Sequence, residues 1–135
     1  MNHAFKPLQN TSLPHVFRQI RLERAREPDH PEGAPAIAYV MIAPLDMASR
    51  IDVGVWHGHK EACRIVRQRP DEEEWLGHLV HGRDGNWRFH YDVSGLASDE
   101  AGYHFADERF RLGEYVSVRE EDGIHPYRVA GITPL

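Results

Sequence analysis

Four residues that lie close together in the chain, His81, Arg88, His90 and Asp92, have the side-chain types of a small acid–base or anion-binding site. A carboxylate beside an imidazole orients the ring and raises its pKa, and a guanidinium holds a carboxylate or phosphate in its planar fork. His90 and Asp92 are two residues apart, so on a β-strand they share a face. The pair Asp84-Gly85 suits the left-handed backbone of a two-residue hairpin turn, which predicts Val80 opposite Phe89, His78 opposite Tyr91 and His81 opposite Arg88. In that register the four candidates project together from the polar face of one hairpin. The competing expectation is that this face is the wetted side of an antiparallel sheet, with ordinary cross-strand polar pairs.

Ten histidines invite a metal reading, but ligand spacing decides it. His59 and Cys63 are one helical turn apart and form the best pair, yet two ligands do not make a site. His59-Lys60-Glu61 matches the H-x-E of zinc deaminases, but a chain with one cysteine has no P-C-x-x-C to complete it. No H-E-x-x-H occurs, so no metal is expected, and His59 and Cys63 are assigned to the core side of a helix. Burial there would raise the Cys63 pKa and suppress its nucleophilicity. There is no G-x-S-x-G, Walker A or G-x-G-x-x-G segment, so neither a serine nucleophile nor a nucleotide cofactor is expected.

The 135 residues are enough for one core, and 16 basic against 21 acidic side chains give a net charge of -5. That balance disfavours nucleic acid and anionic membranes as partners. Local arginine stripes, Arg18 to Arg26 and Arg64 to Arg69, are interleaved with or followed by acidic residues, which predicts internal ion pairing. The lone Cys63 and the lack of a signal-like or membrane-spanning apolar run point to a cytoplasmic protein.

These side chains must be positioned by short strands. Residues 1–14 lack periodicity and are expected to be a flexible tail, followed by a single domain over 15–135. Strands are predicted at Val16–Arg26 and Ala36–Ala43, paired across a proline-rich connection, and at Arg64–Arg69. Ile51, Val55, Trp56, His59, Ala62 and Cys63 recur at helical spacing, which predicts one packed helix near 52–63, capped by Asp52. A second Asp-Gly pair, Asp122-Gly123, predicts a hairpin with Val118 facing Tyr127 and Val116 facing Val129. Between the hairpins, residues 93–113 read as a long loop with a short strand near Tyr103–Phe105.

With about seven or eight short strands and one helix, the expected fold is mainly β, a small antiparallel barrel or rolled sheet. Phe110 and the run Gly113 to Val118 resemble the strand leading into flavin-reductase barrels, over fewer than ten residues. The R-x-Y-S segment of that family is replaced by Tyr127-Arg128-Val129-Ala130, so no activity or cofactor carries over. The expected function is a binding module for a protein partner or small ligand, able to self-associate through an open sheet edge. A small enzyme or metal-binding protein using the His81, Arg88, His90 and Asp92 face is the alternative.

Overall fold

A computed structural model describes residues 13–92 and 99–135. Most of the expected tail, residues 1–12, and the part of the expected loop at residues 93–98 lie outside the described residues. Leu13, within the expected tail, packs partly buried against the core.

Alternating apolar and polar residues produce eight strands: β1 (Phe17–Arg24), β2 (Ala34–Pro44), β3 (Arg64–Gln68), β4 (Trp75–His81), β5 (Trp87–Tyr91), β6 (Glu100–Tyr103), β7 (Tyr115–Glu120) and β8 (Gly123–Pro134). Each pairs antiparallel with the next, and β8 pairs with β1, so the sheet closes into a barrel. Closure leaves no unpaired sheet edge among the described strands, which removes the open edge expected to support self-association. The expected β1–β2 pairing is present, with Ile20 opposite Met41 and Leu22 opposite Tyr39.

Side chains at alternate positions fill the barrel. Trp87, Phe89 and Tyr91 point inward from β5, Val116 and Val118 from β7, and Tyr127 and Val129 from β8, all buried. One end is closed by a short helix, α1 (Val53–Gly58), whose Trp56 indole donates to the Leu79 carbonyl at 2.9 Å and meets the Trp87 ring edge-on. The Asp52 carboxylate accepts from the Val55 N–H at 3.1 Å, as expected of a cap. The helix is shorter than the predicted span: at His59 the backbone departs from helical geometry, with φ of -141°, and Lys60–Ala62 form a 3₁₀ turn. Glycines at 54 and 58 weaken helix propensity in so short a segment. Among the described residues no helix is long and apolar enough to cross a membrane.

Both hairpins depart from the predicted registers, with different consequences. In β4–β5, Leu79 lies opposite Phe89, His81 opposite Trp87 and His78 opposite His90, one residue away from expectation. The turn is longer than two residues: the Gly82 N–H donates to the Asn86 carbonyl, and the Asp84 carboxylate accepts from the Asn86 N–H. Only Gly85 there adopts positive φ, at 84°, as in a bulged loop rather than the predicted two-residue turn. In β7–β8, Val116 faces Tyr127 and Val118 faces His125, a shift of two residues that keeps each side chain on its predicted face.

Candidate ligand site at the barrel mouth

The one-residue shift in β4–β5 dissolves the constellation expected from sequence. His81 turns toward the helix-capped end, where its ring lies 4.5 Å from that of Trp87 and 5.8 Å from that of Trp56. Arg88, His90 and Asp92 do share the outer wall, but each is occupied separately. Arg88 reaches back to Asp84 at 3.1 Å, His90 pairs with Asp99 at 2.8 Å, and Asp92 approaches His78 at 3.5 Å. His90 and Asp92 are more than half exposed, so their pairs are solvated and contribute little. The four candidates therefore do not converge in one pocket.

His59 and Cys63 are likewise not arranged as a metal pair. The His59 Nδ1 faces the Val55 carbonyl at 3.1 Å, and the Cys63 thiol points to the His59 carbonyl. Burial pushes the Cys63 thiol up to about 12, the behaviour of an inert core cysteine.

At the end of the barrel opposite α1, the inward face changes from apolar to charged. Arg24 lies two residues beyond Leu22 on β1, Glu120 two beyond Val118 on β7, and Tyr91 two beyond Phe89 on β5. Tyr39 and Tyr127 precede Met41 and Val129 by the same spacing. Continuing the inward register of five strands, these residues join Glu100 of β6 and Arg67 of β3 in one buried network. The Tyr39 hydroxyl lies 2.7 Å from Glu100 and 2.6 Å from Glu120. Tyr91 donates to Glu100 at 2.7 Å, and Tyr127 hydrogen-bonds Glu120. Arg24 donates to Glu120 at 2.7 Å, Arg69 lies 3.2 Å from the same oxygen, and Arg67 lies 3.7 Å from Glu100. Arg67 also stacks on the Trp75 ring at 3.8 Å.

Burial raises the pKa of Tyr39 and Tyr91, with the charge of neighbouring Glu100 adding to it, and raises that of Tyr127 with the help of Glu120. All three are thus neutral hydroxyls at ordinary pH. Burial alone would lower the Arg24 and Arg69 values, but the Tyr127 hydrogen bond at Arg24 and the charge of Glu120 at both outweigh it. Each carboxylate therefore meets fixed donors, as pre-organised polar sites require.

Above the network opens a cavity of about 690 Å³, lined by Arg67, Arg69 and Trp75 on one side and Glu100, Arg119 and Glu120 on the other. The Arg69 Nε is buried without a hydrogen-bond partner among the described residues, so they leave one donor at this mouth unused. The β7–β8 turn, Glu121 and Asp122, forms part of the rim. Behind it, ligand atoms of Glu120, Asp122 and His125 come within 4.8 Å of one another. Glu120 is already engaged by two guanidinium groups there, and their positive charge opposes a cation at that position.

Sequence reasoning placed several of these residues in paired arginine stripes, and the pairing is seen. What it did not use was the signal that an arginine, glutamate or tyrosine followed the inward-facing period on successive strands. The fold and site define a closed antiparallel barrel with a polar cavity at one end and a helical cap at the other. No known protein family, curated protein or solved structure matches the chain.

Proposed function

We propose that this protein is a small-ligand-binding β-barrel that takes a polar molecule into the mouth formed by β3, β4, β6 and β7. The observation that carries this reading is the cavity of about 690 Å³ whose floor is Glu100 and Glu120. Its volume falls within the ~300–1,000 Å³ common for small-molecule sites. A planar indole, three arginines and five carboxylates, two on the floor and three at the rim, offer both donors and acceptors, which suits a ligand with several polar groups. A cytoplasmic location belongs to the same reading, supported by the lone buried cysteine.

A library of polar metabolite-like compounds, screened by ligand-observed NMR, tests it. Binding should be weakened at least about tenfold by Arg69→Gln and by Trp75→Ala, the loss of about 1.4 kcal/mol of contact. Arg88→Ala, on the outer wall, should leave affinity unchanged. Hits that depend on Arg88 or His90 instead would overturn the assignment.

A catalytic reading of the same mouth has one observation in its favour. Four short oxygen–oxygen contacts link Tyr39, Tyr91, Tyr127, Glu100 and Glu120, but the hydroxyls supply only three hydrogens. Tyr39 can serve one carboxylate at a time, which is the arrangement of a proton relay. Turnover of a bound compound that disappears in Tyr39→Phe while binding persists would favour this reading; unchanged turnover in that variant would exclude the relay.

A further inference from the structure

We propose that His125 is a proton-operated latch on the barrel mouth: as an imidazolium it ties the β7–β8 turn to the β1–β2 connection, and on losing its proton it releases that turn. That the latch governs ligand access rests on the reading of the mouth as the binding site. The latch itself rests on geometry alone.

His125 lies near the start of β8, with only 15% of its side chain exposed. Its Nδ1 faces Glu27 at 2.9 Å, and its Nε2 faces Asp122 at 2.7 Å. A neutral imidazole carries one N–H, so it can donate to one of these carboxylates and must turn a lone pair toward the other. Only the imidazolium satisfies both. The two partners belong to segments far apart in sequence, and Asp122 is on the cavity rim.

The surrounding charges support the protonated form. Glu27 comes from the β1–β2 connection, Asp122 from the turn, and Glu120 of β7 lies 3.9 Å from Nε2. Arg24 of β1 opposes it, but the Arg24 guanidinium is itself bonded to Glu120 and Glu27. Burial also opposes the charge, yet the hydrogen bonds that the ring donates to Glu27 and Asp122 outweigh both, and the His125 pKa is raised above its ordinary value. The Asp122 carboxyl is correspondingly lowered, chiefly by the His125 bond.

A raised histidine pKa means that the tie is complete on the acid side of the ordinary value and is lost as pH climbs through the raised one. The contact that opens is identifiable. Glu27 is only 13% exposed and also bonded to Arg24, whereas the Asp122 side chain is 74% exposed and can exchange His125 for water. Opening therefore frees the turn, not the β1–β2 connection.

Hydrogen exchange of the Asp122 to Ile124 amides, together with NMR titration of the His125 ring, tests this in the full chain without ligand. Between about pH 6 and about pH 9, protection corrected for intrinsic exchange should fall about fivefold in the turn, following the His125 titration. His125→Gln should show low protection throughout. Asp122→Asn, an exposed change that leaves the core intact, should remove the pH dependence if His125→Gln does not fold. Constant protection in the unmodified protein, or His125 titrating at or below the ordinary histidine value, would overturn the latch. Because no ligand is involved, that failure is separate from failure of the mouth to bind one.

Discussion

The Tyr39 hydroxyl lies 2.6 Å from Glu120 although their strands, β2 and β7, are not neighbours in the barrel. The contact spans the interior and, with Glu100 of β6 on the same oxygen, joins three strands through one phenol. Tyr39 is 1% exposed, so removing its oxygen takes a buried donor away from both carboxylates. Tyr39→Phe should cost about 1–3 kcal/mol, the range for leaving a buried polar group unsatisfied. Chemical denaturation should show it as a lower midpoint with an unchanged slope. The control Tyr115→Phe, at a position 62% exposed, should shift nothing measurable. Equal midpoints for Tyr39→Phe and the unaltered chain would mean that the network does not hold the barrel together.

Arg24 and Glu120 make a different test, because both are charged and each is 7% exposed. Breaking one side of such a pair is expensive, since buried Glu120 then keeps Arg69 but loses its closest guanidinium. Arg24→Met should lose about 3–5 kcal/mol, while Arg24→Met with Glu120→Gln should recover a measurable part of it. The coupling is read from a double-mutant cycle in urea. Additive losses would show that the two charges do not depend on each other, in conflict with their 2.7 Å contact.

The β architecture was legible because inward and outward residues alternate, and most strand positions followed from that period with small errors at the ends. The exception is β6, expected near Tyr103–Phe105 and found at Glu100–Tyr103, with a turn following it. Asp52 was recognisable as a cap because the chemistry of capping is local. The site was not legible for a matching reason. Leu79 and Val80 are both apolar, so the hydrophobic pattern of β4 fits either register, and the bulged turn between Gly82 and Asn86 decided between them. That turn moved His81 off the face it was expected to share with Arg88. In β7–β8 the pattern was symmetric to a two-residue shift, so the faces survived a wrong register. The mouth network depends on side chains from seven strands meeting, which a linear reading reaches only after closure and register are known.

Two glycines should respond in opposite directions to the same change. A Cβ at Gly77 would overlap the His90 carbonyl oxygen and lie 2.9 Å from the Tyr91 Cα, and backbone cannot step aside as a flexible side chain can. Gly77→Ala should part β4 from β5 and lower the melting temperature by many degrees, or prevent folding. At Gly58, the last residue of α1, no atom of the described residues lies within 4 Å of an added Cβ. Gly58→Ala should be neutral or stabilise by up to about 1 kcal/mol through helix propensity and a less flexible unfolded chain. Differential scanning calorimetry of both variants decides the matter; a stable Gly77→Ala would mean that β4 and β5 are not packed this closely.

Alkaline unfolding should expose the three buried phenols together. Tyr39, Tyr91 and Tyr127 are all held above the ordinary tyrosine pKa by burial and neighbouring carboxylates. Their contribution to stability is present in full below the unfolded-state value of about 10 and is lost as pH rises beyond it, because the unfolded chain then releases protons that the folded chain retains. Ultraviolet absorbance should therefore show these three ionisations coinciding with loss of the near-ultraviolet circular dichroism signal. In Tyr39→Phe one fewer ionisation should accompany that transition, and the transition should begin at lower pH because the barrel has less stability to lose. Ionisation of all three before any structural change would show that the phenols are not sealed beneath the cavity floor.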